Sequence, residues 1–365
     1  MSTLSQIFNS IQHSLFPWFE EALDPLSEKE QRFVQVVSLM NLKIHMKHYR
    51  WKGKGRKRKN RISMAKAFVA KSIYNFETTD ILIDYLKGCK NIRRLCGWEN
   101  PWQVASKSTF SRAFAQFSQG NLTQNIHEAM VKEHCGEKLA GHNSRDSTAI
   151  VAREKPMKKK ADKSVKQPKR KPGRPRKGDI VAAKPPKRLD LQPTRSLSDN
   201  LKDLPTQCDV GTKKNSKGYK QSWTGYKLHL DCIDGDIPVS TVLTSASLHD
   251  YQAAIPLSQM SQERITNLYD LMDSAYDAPQ IHSFSEQLGH KPIIDHNARR
   301  GEKIYMDPAT KVRFAQRSSA ERVNSYLKDN YGGRNIRVKG AAKVMTHLMF
   351  GIIVITATQL FRLLE

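Results

Sequence analysis

Residues 225–276 read GYKLHLDCIDGDIPVSTVLTSASLHDYQAAIPLSQMSQERITNLYDLMDSAY. Two runs, GYKLHLDCID and IPVSTVLTSAS, alternate like paired strands, and Asp234-Gly235-Asp236 between them supplies the turn. HDYQAAIPLSQM then reads as a helix capped by His249 or Asp250, and ITNLYDLMDSAY as a buried strand ending at Asp273. Downstream, SFSEQL reads as a short helix, KPIIDHN as a short buried strand and RSSAERVNSYLKDNYG as a helix. An apolar helix around residues 348–360 closes the order. Upstream, KLAGHNSRDSTAIVA (138–152) reads as a further strand carrying Asp146. Strands alternating with helices in this way give an α/β class built on a mixed sheet.

Toward the N-terminus the period changes from two to three and four. RISMAKAFVAKSIYNFETTDILIDYLKGC has helical apolar spacing, and SKSTFSRAFAQFSQGNL reads as a helix capped by Ser106 or Ser108. Residues 1–135 are therefore expected to form an all-α domain and 136–365 the α/β domain. A basic, Pro-rich insertion at about 151–215 interrupts the second domain; residues 151–188 hold 16 Lys or Arg against three acids.

Charge defines the partner. The chain carries 61 Lys plus Arg against 35 Asp plus Glu, a formal net charge of +26. Counterion release makes so basic a chain a ligand for DNA or RNA. The basic runs lack the interleaved apolar anchors of a membrane-surface segment, so a membrane partner is not expected. Lys43 to Arg61 holds ten Lys or Arg, no acid, and the aromatics Tyr49 and Trp51, which suits DNA contact. The stretch from Leu348 to Leu360 is too short and too polar to span a bilayer. Five scattered cysteines show no zinc-ligand spacing and read as reduced thiols of a cytoplasmic protein.

Three acids occupy informative places. Asp146 lies on or just after the first α/β strand, Asp273 at a strand's C-terminal end, and Glu321 on a later helix. Three converging carboxylates can hold two Mg²⁺ ions for in-line phosphoryl displacement. At about 100° per residue, Phe314, Arg317 and Lys328 fall within about 40° of Glu321, while Ala320, Val323 and Leu327 take the other side. Alternatively, Ser318 and Glu321 form a capping box, and Phe314 and Arg317 then precede the helix.

FAQRSSAERVNSYLK resembles the Tyr-x2-Arg-x3-Glu-x6-Lys signature of bacterial insertion-sequence DDE transposases. Arg317, Glu321 and Lys328 match it; Phe314 stands where that family has Tyr and lacks its hydroxyl. MDSAYD, with Asp273 and Tyr276, resembles the family's second-acid motif, and RDSTAI, with Asp146, resembles its first. The resemblance implies an RNase H-like catalytic domain and a catalytic, metal-binding triad of Asp146, Asp273 and Glu321. It implies Mg²⁺ as cofactor, with Mn²⁺ as a substitute, and an enzyme that cleaves double-stranded DNA at transposon ends and transfers strands to target DNA. A homodimer in a synaptic complex, associated with the bacterial nucleoid, completes that expectation. Phe314, Arg317, Lys328, Tyr276, Arg299 and Arg300 are the expected DNA contacts around the site. PGRPRK (172–177) resembles an AT-hook, which would put Arg174 and Arg176 into an A·T-rich minor groove. The alternative is a DNA-binding protein descended from a transposase and no longer catalytic.

Overall fold

The computed structural model describes residues 3–364 except 50–52, 54–57, 158–185, 215–216 and 299–301. Arg174, Arg176, Arg299 and Arg300, the AT-hook-like segment among them, lie outside the described residues.

Helices occupy the chain to Cys135, and a six-stranded mixed sheet with flanking helices follows. The strands are β1 (Leu139–Val151), β2 (Asp209–Lys214), β3 (Lys220–Ile233), β4 (Ile237–Ser245), β5 (Thr266–Met272) and β6 (Lys291–Ile294). β1, β5 and β6 run parallel; β3 runs antiparallel to β1, β2 and β4. This mixed sheet flanked by helices is the expected RNase H-like α/β architecture. Five helices matter below: α1 (Lys107–Gln119), α2 (Leu122–Cys135), α3 (Ala254–Gln262), α4 (Ser318–Asn330) and α5 (Ala341–Arg362).

The β3–β4 hairpin turns at Asp234-Gly235-Asp236, where Gly235 (φ 82°) and Asp236 (φ 59°) take the left-handed conformation a tight turn requires. Ser106 occupies the N-cap of α1, which buries Phe110, Phe114 and Phe117 on one face. The insertion expected at about 151–215 contains regular structure among its described residues. Arg188–Leu191 and Leu197–Asp203 are helical, and Asp209–Lys214 is the edge strand β2. Leu189 and Leu204 are buried in apolar clusters and anchor these helices.

The change from α2 to β1 does not separate two cores. One continuous apolar cluster runs from Leu4 through Phe33, Phe68 and Phe117 to Leu228, Val323 and Phe361. α5 is its axis, packing on α1, α2, β4 and the helices Glu28–Leu39 and Arg61–Ile73. By length and composition α5 could cross a membrane, but 89% of its apolar window is buried inside the protein. Its isotropic hydrophobicity is therefore that of a core helix.

His127 of α2 sits at this junction, fully buried, with Nε2 3.1 Å from the Pro238 carbonyl and 3.2 Å from Thr356 Oγ1. Burial, reinforced by Arg264, pushes its pKa down to about 3. The folded state thus resists protonation, while the unfolded chain protonates near the ordinary value of 6.5. This contribution is intact above pH 6.5 and is lost as pH falls toward 3. Against a His127→Gln variant, the parent should lose about 1.4 kcal/mol of relative stability per pH unit below 6.5. Denaturant titrations of both proteins at pH 7, 6 and 5 measure it; a constant difference would contradict the assignment.

Candidate active site

β1 and β5 are adjacent and parallel, with Ser144 opposite Leu271. Two residues further along each strand bring Asp146 beside Asp273, on one face of the sheet at the C-terminal end of β5. Asp146 lies where β1 outruns β5 and continues against β3, opposite Leu230. Asp273 begins a short turn, its Oδ1 accepting from the Ala275 amide at 2.9 Å. Crevices beyond the carboxyl ends of parallel strands are where open α/β sheets place their sites.

The two carboxyls share a protected space. Burial first, then the Asp273 charge, raises Asp146 to about 6; the Ser147 backbone, Arg317 and Asn324 oppose the rise. Burial also raises Asp273, against Arg317 and Lys213. Arg317 is thus close enough to act on both acids. Asn324 of α4, buried, donates from Nδ2 to Asp146 Oδ2 at 3.0 Å. Lys328, one turn along, is half-buried; burial lowers its pKa while Asp146 favours its charged form.

Glu321 stands apart from the pair. Its side chain is 53% exposed and accepts from Arg317 Nη2 at 2.5 Å. Among the described residues no three His, Cys, Asp or Glu side chains lie close enough to hold a metal. Asp146, Asp273, Arg317 and Lys328 are therefore brought together, and Glu321 is held one ion pair away.

The chain reaches α4 by a helical path, Pro308–Phe314 followed by a tighter turn at Ala315–Arg317. The capping box does not form: Ser318 Oγ instead accepts from Arg322 Nη1 at 2.7 Å. The face expected from continuous helical spacing largely survives, with the Arg317 guanidinium 5.6 Å from the Phe314 ring centroid.

Two expectations are corrected. Tyr276 is 1% exposed and sits in a core cluster with Leu189, Ile255 and Met272, so it has no surface to offer DNA. Its hydroxyl has no hydrogen-bond partner, and burial, then the charges of Asp250, Asp146 and Asp273, pushes it far above the usual phenol range. Asp250 is no side-chain helix cap. It accepts from Lys227 Nζ at 2.9 Å and from Ser147, and its charge reaches Asp273. Asp250 and Asn324 are the polar groups of this site that the sequence reading missed. Asn324 was signalled by its position three residues after Glu321 on one helix; Asp250 had no local signal.

Behind the acids, on the opposite face of β1, Arg145 is 1% exposed and makes a two-pronged bond to Asp231. Nε and Nη2 each lie 2.7 Å from a carboxylate oxygen. Asp231 also accepts from Ser261 at 2.8 Å and Asn143 at 3.2 Å.

The donor set bears on metal. Two half-buried carboxylates that resist ionising side by side are hard oxygen donors suited to a divalent cation. Asp146 and Asp273 fit that role as they stand, whereas Glu321 is held by Arg317 and forms no three-ligand group with them.

Residues 192–357 match the family model described as Transposase DDE domain, and residues 21–116 match the one described as Transposase domain (DUF772). No curated protein matches the chain. The first match takes in Asp273 and Glu321, and together the two span more than two thirds of the chain. Enzymes of this kind bind DNA and use divalent metal for strand breakage. With a helical region and a mixed sheet that carry these two matches in order, the chain belongs to the insertion-sequence DDE transposases.

Proposed function

We propose that the chain is an active transposase that cleaves DNA at the ends of its own element and joins them to target DNA. Asp146, Asp273 and Glu321 act as its catalytic acids. The observation that carries this reading is the pairing of Asp146 with Asp273 on adjacent parallel strands, with Arg317 within reach of both.

In this reading Asp146 and Asp273 hold Mg²⁺, and Mn²⁺ can replace it. Glu321 completes the set when DNA phosphate competes for Arg317 and releases the carboxylate. When bound, the ion supplies positive charge against the phosphoryl oxygens during displacement. Arg317 and Lys328 grip backbone phosphates, and Phe314 supports the Arg317 guanidinium from its ring face. Asn324 fixes the Asp146 carboxyl so that one oxygen stays directed at the site. Water is the first nucleophile and a DNA 3′-hydroxyl the second. The helical residues 1–135 bind the element's ends, and two copies of the chain bring two ends together.

A second reading, a DNA-binding descendant without catalysis, draws on the Arg317–Glu321 pair, which leaves the third acid out of the site. The two are separated with duplex DNA carrying the inverted repeats that flank the gene. Purified chain with Mg²⁺ is expected to cut at the repeat ends and leave 3′-hydroxyls, and a chelator should abolish the cut. Binding without cleavage at any Mg²⁺ or Mn²⁺ concentration would favour the second reading.

A further inference from the structure

β3 is longer than the sheet that supports it. Its last residues pair with β4 along one edge and with β1 along the other, and its first residues pair with β2 alone. β1 ends opposite Gly225. Beyond that point Gly211–Lys214 and Lys220–Thr224 stand as a two-stranded arm. Thr212–Lys214 and Lys217–Ser222 are exposed. Because β3 is antiparallel to β1, the arm leaves the sheet at the end where Asp146 and Asp273 lie.

Two glycines fix its root. A Cβ on Gly211 would lie 2.5 Å from the Trp223 ring, and one on Gly225 would lie 2.1 Å from the Ile150 carbonyl. Trp223 is thereby pinned at the base, its Nε1 donating to the Tyr226 carbonyl at 3.1 Å. It packs the arm onto the sheet.

The arm's charge is costly for the arm alone. Lys213, Lys214, Lys217 and Lys220 lie on it, and no acid occurs from Val210 to Leu230. Lys214 and Lys220 are directly opposed across the strands. Like charges in that position weaken a hairpin that is already marginal without a third strand. A polyanion bound across them would reverse the penalty. Lys213 takes the other face and is near enough to the site to influence Asp273 and Lys328.

We infer that this lysine arm is a second DNA-contact surface, gripping the backbone phosphates of duplex DNA beside the catalytic acids without reading sequence. The inference rests on the transposase reading only for what lies at the acids; the grip itself is tested by binding. The full chain is titrated against fluorescent duplex of arbitrary sequence over a range of salt concentrations. The triple variant Lys213→Ala/Lys214→Ala/Lys220→Ala is expected to shrink the slope of log affinity against log salt by about 2–3, near 0.9 for each lost phosphate contact. The corresponding triple Arg variant should keep the parental slope. A control at the far end of the sheet, Lys138→Ala/Lys291→Ala, should also keep it. Circular dichroism checks that the variants fold. An unchanged slope in the triple Ala variant, or an equal loss in the control, overturns the inference. Because parental binding and the Mg²⁺ cleavage assay are read separately, loss of cleavage alone would count against the transposase reading and not against the arm.

Discussion

Asp146→Asn is expected to cut DNA-cleaving activity by about a thousandfold or more while making the metal-free protein more stable. The activity loss follows from removing one of two carboxylates whose charge would hold the ion; an ion of this kind supplies several kcal/mol to the transition state. The stability gain follows from the same carboxylate. Asp146 is half-buried beside Asp273, and the folded chain holds its proton up to about pH 6, against 3.8 for the ordinary group. Ionisation therefore costs the fold as pH rises through that window, and above it the full cost stands, up to about 3 kcal/mol. Asn keeps an oxygen to accept from Asn324 and removes the charge. Thermal unfolding in chelator at pH 7.5, beside single-turnover cleavage in Mg²⁺, measures both halves. A variant that loses activity and stability together would make Asp146 a structural residue. Glu321→Ala serves as the companion: it sits in solvent, so its activity should collapse with little change in melting.

Asp231→Ala is expected to have the largest effect on the fold itself. Its carboxylate is the two-pronged partner of a guanidinium that has no contact with solvent, and it also accepts from Ser261 and Asn143. Removing it strands a buried charge, a change that costs about 3–5 kcal/mol in comparable settings. Replacing both members, as in Arg145→Met/Asp231→Leu, should restore most of that loss, because the desolvation penalty disappears with the pair. Urea titration of the parent, the single variant and the double variant provides the comparison. A single variant within about 1 kcal/mol of the parent would mean that water reaches Arg145.

The sheet was readable where burial on one or both faces imposed a pattern. β3, β4 and β5 announced themselves through alternation and apolar runs, and Asp234-Gly235-Asp236 through turn chemistry. β2 did not, because DVGTKK forms by edge pairing of its backbone and offers nothing apolar except Val210. Composition also hid the helices at 188–203, whose short apolar stretches follow a long lysine-rich tract. At the site, Asp273 was placed by its strand end, and Arg317 with Glu321 by helical spacing. Asp146 and Asp273 meet through strand register between segments more than a hundred residues apart, which spacing along the chain cannot express. Tyr276 was misplaced for a related reason: a motif gives the residue but not whether it points into the core or toward solvent. Asp250 depends on Lys227 and Ser147 from two different strands, so no local pattern marks it.

The buried helix α5 has a consequence for how the protein is made. The helices Glu28–Leu39 and Arg61–Ile73, α1, α2 and β4 all pack around a segment that the ribosome delivers after them. The earlier residues emerge with their apolar faces uncovered and cannot close a core around what has not yet been translated. Messages cut short before Ala341 are therefore expected not to yield a smaller fragment with a finished interior. The fold thus works as a check on synthesis, in which a chain translated through Arg362 is the first that can close this core.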